Sequence, residues 1–155
     1  MSKWLLSAAA FGLVAACSPA DAPTPPASET GPVLSYSDAF VMEPIGGRDM
    51  TMGGVTVSVE GGDVTLTSAS SPAIDTIELH TMAMVDERMQ MRQVEAFEIA
   101  DGEALELKRG GNHFMMFGVG EGVVGGETVD ITLNFEADGE PMVLVVEADV
   151  RVVGE

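Results

Sequence analysis

Apolar and polar residues alternate along most of this chain, and this period of two constrains the fold more than any other feature of the sequence. Successive side chains of a β-strand point to opposite faces, so the alternation predicts strands that each bury one face. No helical stripe of useful length is found beside it. The predicted strands are Val33–Met42, Val55–Glu60, Asp63–Ser68, Asp75–Met84, Met89–Ala96, Ala104–Lys108, His113–Gly118, Thr128–Glu136 and Met142–Val152.

Glycine pairs and one Asp-Gly pair stand between or beside these segments, where hairpin turns need them. They are Gly46-Gly47, Gly53-Gly54, Gly61-Gly62, Gly110-Gly111, Gly125-Gly126 and Asp138-Gly139. Short strands at this spacing predict an all-β domain, built as an antiparallel sandwich or a barrel.

The first 17 residues are typical of a targeting segment. Lys3 supplies a positive start, Trp4–Val14 is apolar, and Ala15-Ala16 offers a small-residue cleavage site. Val14-Ala15-Ala16-Cys17 resembles a bacterial lipobox, which implies cleavage before Cys17 and acylation of that cysteine. An ordinary secretory signal with Cys17 nearby is the alternative.

The chain therefore divides into three predicted parts. Residues 1–16 form a lipoprotein signal peptide, residues 17–32 a lipidated cysteine with a Pro/Ala-rich tether, and residues 33–155 a folded domain. We expect a lipid-anchored protein of the bacterial cell envelope, in the periplasm. Ser18 favours the outer membrane as the site of the anchor.

Composition excludes several classes of function. The net charge is −18, with 25 acidic and 7 basic residues, so a nucleic-acid interface is excluded. Cys17 is the only cysteine, which leaves no disulfide and no thiolate for a blue-copper centre in the domain. No nucleophile-elbow or phosphate-loop pattern occurs, and we do not expect an enzyme.

The chain has two histidines, and each lies near methionines. His80, Met91, His113 and Met115 follow one another as His-x10-Met-x21-His-x-Met. Imidazole nitrogen and thioether sulfur together form a donor set that suits Cu(I) far better than Mg²⁺, Ca²⁺ or Mn²⁺.

This spacing resembles the signature of the PCu(A)C-type periplasmic copper chaperones. The segments "DTIELHTMAM", "RMQMRQVEAFEIADGEALELKRGGNHFMMFGV" and "GETVDITLNFEADGEPMVLVVEADV" are similar to successive strands of that family. The resemblance covers nearly all of residues 33–152. It implies a cupredoxin-like, Greek-key β-sandwich whose His80, Met91, His113 and Met115 bind Cu(I). It also implies delivery of copper to the copper centre of cytochrome c oxidase, together with Sco-type proteins.

A two-residue turn at Asp86-Glu87 predicts how the first two ligands meet. It places Met84 opposite Met89, Met82 opposite Met91, and His80 opposite Gln93. Alternation then puts His80 and Met91 on one face, and His113 and Met115 share a face on another strand.

The other methionines fall into two predicted groups. Accessory copper contacts, or an apolar collar around the ion, are expected at Met82, Met84, Met89 and Met116. Core filling is expected for Met42, Met50, Met52 and Met142. Solvated faces are expected for Glu78, Glu87, Glu95 and Glu98.

These observations favour an extracytoplasmic Cu(I) chaperone that hands its ion to an acceptor. Two alternatives stay open. The protein could store copper or confer copper resistance, with the extra methionines holding a second ion. It could also be a metal-free envelope lipoprotein that serves protein interaction.

Acylation of Cys17 is directly testable. The mature protein from envelope membranes should begin at Cys17 and carry the mass of attached acyl chains, because several chains are needed for a stable anchor. Intact-mass spectrometry of the detergent-extracted protein measures both features. Cys17→Ala should release the domain from the membrane; a mature chain that begins elsewhere and lacks the added mass would contradict the lipobox interpretation.

Overall fold

A computed structural model describes residues 31–153 of the chain. The predicted signal peptide, Cys17 and nearly all of the tether lie outside these residues, as do Gly154 and Glu155. The strands are β1 (Val33–Met42), β2 (Met50–Glu60), β3 (Val64–Ser71), β4 (Ile74–Val85), β5 (Arg88–Gln93), β6 (Phe97–Ile99), β7 (Ala104–Glu106), β8 (His113–Val119), β9 (Thr128–Ala137) and β10 (Glu140–Arg151). A single 3-10 turn, Ile45–Gly47, separates β1 from β2. No helix in residues 31–153 has the length and apolarity to cross a membrane.

Seven of the strands close on themselves in a barrel-like ring. The order is β4, β8, β2, β1, β10, β9 and β3, and β3 returns to pair with β4. The three remaining strands are attached at the flanks, with β5 on β4, β6 on β3 and β7 on β2. The all-β prediction is confirmed. Its finer part, the cupredoxin-like Greek-key sandwich, stays a prediction.

One strand pair departs from the antiparallel expectation. The end of β1 runs parallel to β10, with Phe40, Val41 and Met42 beside Asp149, Val150 and Arg151. No hairpin joins these strands, because almost the whole chain lies between them, and only a hairpin forces neighbouring strands to be antiparallel. This parallel contact is one of the seams that close the ring.

The ring encloses an apolar core drawn from alternate positions of its strands. Phe114, Ile131, Leu133, Phe135 and Val146 are all at most 2% exposed. Burying one such side chain contributes roughly 1.5–3 kcal/mol. Because the inward positions form the core, the residues between them face outward, and those positions on β4 and β8 carry His80, His113 and Met115.

The β4–β5 hairpin confirms the predicted register. Val85 pairs with Arg88, Met84 with Met89, Met82 with Met91, and His80 with Gln93. Asp86 and Glu87 form the turn and both have positive φ, 48° and 62°. Two consecutive positive φ values are those of the type I′ turn, which matches the twist of paired strands.

Gly53 and Gly54 lie inside β2, although the sequence analysis placed a break there. A Cβ on Gly54 would stand 2.0 Å from the carbonyl oxygen of Leu107 and 2.8 Å from the ring of Phe40. A Cβ on Gly53 would meet Met116 and the Phe40 carbonyl oxygen, each at 2.7 Å. These glycines therefore allow close backbone approach rather than a turn, and β2 begins five residues earlier than expected, at Met50.

Gly54→Ala tests this close approach. The added methyl must displace the backbone at Leu107, which leads into the loop before His113, so we expect a loss of roughly 1–3 kcal/mol in the free energy of unfolding. Gly122→Ala is the matched control, because nothing lies within 4 Å of its Cβ position. Urea unfolding of both variants measures the difference, and equal stability would refute the packing argument.

Candidate metal centre

The two histidines stand side by side on neighbouring strands. His80 of β4 and His113 of β8 are direct partners in the strand register. Their ring centroids are 5.8 Å apart with planes inclined by 44°, and the residues are 9% and 5% exposed. The loop before His113 is fixed to β4 by the Thr81 hydroxyl, which donates to the Asn112 side-chain oxygen at 2.7 Å. Strand pairing thus brings together two imidazoles that are distant in sequence.

His113 has a defined tautomer. Its Nδ1 lies 2.8 Å from the carbonyl oxygen of Gly111, which can only accept, so Nδ1 carries the proton and donates it. In the neutral ring Nε2 then holds a lone pair, and this atom lies 3.2 Å from the sulfur of Met91. Nitrogen and sulfur ligands about 2.0 and 2.3 Å from one metal ion would themselves be roughly 3–3.5 Å apart. The two atoms are therefore spaced as ligands of a common ion.

His80 presents the opposite nitrogen. Its Nε2 lies 2.8 Å from Glu78 Oε2, and an ionised carboxylate only accepts, so Nε2 donates. The remaining nitrogen, Nδ1, is buried and has no hydrogen-bond partner among the described residues. A buried lone pair without a partner costs free energy, and a bound cation would satisfy it. His80 is thus oriented to bind through Nδ1 and His113 through Nε2.

Glu78 lies in a different environment from the one that the sequence analysis expected. It was assigned to a solvated face, but its side chain is 30% exposed and its carboxylate bonds to His80. The available signal was spacing, since residues two apart on a strand share a face. A carboxylate that accepts the second ring N–H is the usual companion of a metal-binding histidine.

Met91 contacts His113, and Met115 lines a cavity with both residues. Met115 lies on β8 between Glu78 of β4 and Met52 of β2 in the register. It lines, with Met91 and His113, a cavity of about 300 Å³. His80 adjoins this cavity through the His113 ring. The structure therefore brings the four residues to one region of the surface, while their role as metal ligands stays a prediction.

The accessory methionines separate into different environments. Met82 lies opposite Met91 on the hairpin and shares its face. Met84 and Met89 are 66% and 52% exposed near the hairpin tip and do not line the cavity. Met116 is fully buried in the core, on the opposite face of β8 from Met115, so its assignment as an accessory contact is wrong.

Three methionines expected in the core instead line this cavity. Met42, Met50 and Met52 share its wall with Met91 and Met115, and Met50 is 38% exposed. Met142 alone of that group packs against the core. For Met50 and Met52 the expectation failed because the predicted strand began only at Val55, whereas β2 begins at Met50 and its outer face completes the wall. Met42 ends β1 as predicted, but it faces the cavity and not the core. Residues 31–153 contain no group of three or more His, Cys, Asp or Glu placed to hold a metal ion.

Comparison with known sequences identifies a family that is described as putative lipoproteins. The family model described as "Putative lipoprotein LpqE-like" matches residues 34–147. A protein of Leifsonia xyli subsp. xyli (strain CTCB07), described as "Putative lipoprotein Lxx21020", is 29% identical over 122 residues. That alignment covers 78% of this chain and 71% of the relative.

Solved structures with the same fold include copper-loaded domains. The copper-bound PCuAC domain from PmoF2 superposes with a TM-score of 0.62 at 14% identity, covering 77% of this chain and 92% of that domain. DR1885 from Deinococcus radiodurans is 25% identical. Its apo form gives a TM-score of 0.56 over 94% of this chain and 99% of that one. Its CuI form gives 0.53 over 81% and 80%. The resemblance to the PCuAC type drawn from the sequence is confirmed.

The assigned tautomers can be measured without any metal. Long-range ¹H–¹⁵N spectra of the neutral imidazoles in the apo-protein should show His80 as the Nε2–H form and His113 as the Nδ1–H form. Glu78→Gln keeps an oxygen acceptor and should keep the His80 tautomer, whereas Glu78→Leu should release it. Identical tautomers at both histidines would contradict the geometry described above.

Proposed function

We propose that this chain, which belongs to the LpqE-like family of PCuAC-type proteins, binds Cu(I) outside the cytoplasm and hands it to an acceptor protein. The observation that carries the proposal is the set of unused lone pairs. His113 Nε2 faces the Met91 sulfur at 3.2 Å, and the buried Nδ1 of the neighbouring His80 has no hydrogen-bond partner within residues 31–153. The copper-loaded relatives of the same fold support copper as the ion.

The proposed ligands are His80, Met91, His113 and Met115. Two imidazoles and two thioethers are neutral, soft-to-borderline donors, which favours Cu(I) over harder divalent ions. Glu78 adds one negative charge next to the site through its bond to His80. Cu(I) with this set and this carboxylate is electrically neutral, so the ion is bound without leaving an uncompensated charge near the protein interior.

Transfer follows from where the ligands lie. Met91 belongs to the exposed face of the β4–β5 hairpin and is 49% exposed, whereas the histidines are buried. A thioether carries no charge and needs no proton to leave. An acceptor thiolate can therefore displace Met91 first, and the remaining ligands follow in turn. The buried histidines hold the ion until the acceptor has bound it.

The proposal also includes a location in the cell envelope and an acceptor for the copper. Residues 1–16 direct export, Cys17 carries the lipid, residues 17–32 tether the copper-binding domain of residues 33–155, and the outer membrane is the expected membrane. Descriptions of the relatives as lipoproteins support this arrangement. The acceptor we propose is the copper centre of cytochrome c oxidase or a Sco-type protein. Gene deletion tests this part of the proposal. A loss of oxidase activity would favour copper delivery, whereas a loss of copper tolerance alone would favour copper storage.

Anaerobic Cu(I) titration against a competing chelator tests the binding site. His113→Ala and Met91→Leu should weaken Cu(I) binding most, because each removes a proposed ligand. Glu78→Leu should weaken it by about 10–100-fold, because it removes the carboxylate that orients His80. Glu78→Gln should fall between Glu78→Leu and the wild type, since it keeps an acceptor but loses the charge.

Met142→Leu is the control for the titration, because Met142 packs against the core away from the site. The thermal unfolding midpoint gives a second measurement. Cu(I) at about 100 times its dissociation constant should stabilise the wild type by about 2.7 kcal/mol. No change in midpoint and no competition with the chelator would favour the metal-free lipoprotein instead.

A further inference from the structure

Met42, Met50 and Met52 form a compact group beside the proposed copper site. Val41 pairs with Gly53 at the end of the β1–β2 register, and Met42 and Met52 are the residues that follow this pair on the two strands. Met52 pairs with Met115 on β8. Met50 lies two residues from Met52 and so shares its face. The Thr51 hydroxyl donates to the Met42 carbonyl oxygen at 2.6 Å and ties the two strands together at this point.

The group does not belong to the hydrophobic core. On the same strands, Val41 at 0% and Val55 at 1% exposure occupy inward positions. The three methionines occupy the outward positions, where they line the cavity of about 300 Å³. Any apolar side chain could cover a half-buried outer face, yet methionine occupies each of these three positions on two adjoining strands.

We propose that the thioethers of Met42, Met50 and Met52 form a second Cu(I) site next to the first. Directly opposed residues on paired strands have Cβ atoms about 4.5–5.5 Å apart, which unbranched methionine side chains can bridge to one ion. Thioether sulfur selects Cu(I) among biological cations. Met115 and Met91 line the same cavity as this trio, so an ion can pass between the two sites by exchange of one sulfur at a time.

Charges on the cavity wall set the order of filling. Arg48, Arg109 and Glu43 also line the cavity, so the wall has an excess of one positive charge. Met91, His113 and Met115 of the first site line the same cavity, but that site has the Glu78 carboxylate in addition. Cu(I) should therefore fill the histidine site first and the thioether site second. The proposal rests on the proposed function only for the identity of the ion, because the two sites share no ligand.

Methionine methyl NMR during anaerobic Cu(I) titration of the full chain separates the two sites. With ¹³C-methyl methionine, Met91 and Met115 should shift with the first equivalent. Met42, Met50 and Met52 should shift with the second, and Met142 should stay unchanged throughout. X-ray absorption of the second ion should show sulfur neighbours and no imidazole.

Two sets of variants make the outcomes distinguishable. Met42→Leu, Met50→Leu and Met52→Leu combined should lower the stoichiometry from two to one, with the first affinity changed less than threefold. His80→Ala with His113→Ala should abolish the first site and keep the second. If the triple variant does not fold, the wild-type spectra decide alone. A wild-type stoichiometry of one, with these three methyls unmoved at two equivalents, would overturn the proposal. If the wild type instead bound Cu(I) at the three methionines but not at the histidine site, only the proposed function would be overturned.

Discussion

The pairing of β4 with β8 is the interaction on which the site depends. It places His80 beside His113 and Glu78 beside Met115, so one strand register sets both imidazoles and the carboxylate that bonds to His80. β4 extends beyond the part that pairs with β8. Its C-terminal half pairs with β5, and this pairing brings Met91 next to His113. A slip of one residue in either pairing would turn the donors to the other face. The ligands are therefore held by backbone hydrogen bonds more than by contacts among themselves.

In the sequence the two histidines are the same type of candidate ligand, but in the structure they use opposite ring nitrogens as hydrogen-bond donors. A backbone carbonyl accepts from His113 Nδ1, and a carboxylate accepts from His80 Nε2, so opposite nitrogens are left free. The two acceptors also differ in charge. The carbonyl of Gly111 is fixed and neutral, whereas Glu78 supplies a negative charge that a monovalent cation can balance. In a chain of net charge −18, this carboxylate differs from most of the others because it acts on a buried ring.

Methionine takes three roles here, which are decided by strand alternation and by the position along the strand. Met116 points inward and fills the core, although Met115 beside it points outward to the cavity. Met84 and Met89, near the hairpin tip, are exposed beyond the cavity. The same side chain thus serves packing, proposed metal binding or an exposed surface. Neither the abundance of methionine nor its hydrophobicity distinguishes these roles; the face and the neighbouring strand do.

The sequence by itself determined the features that depend on local spacing. Alternation gave the strand class, the Asp86-Glu87 turn gave the β4–β5 register, and the donor types gave the candidate ligands. The tertiary structure alone decided which distant strands adjoin. It placed Gly53 and Gly54 inside β2 and made the end of β1 parallel to β10. It also brought the Glu78 carboxylate into hydrogen-bond contact with His80 and placed Met42, Met50 and Met52 in the cavity wall. The physical reason is that period and turn type act over a few residues of chain, whereas strand neighbours are chosen by closure of the whole sheet around its core.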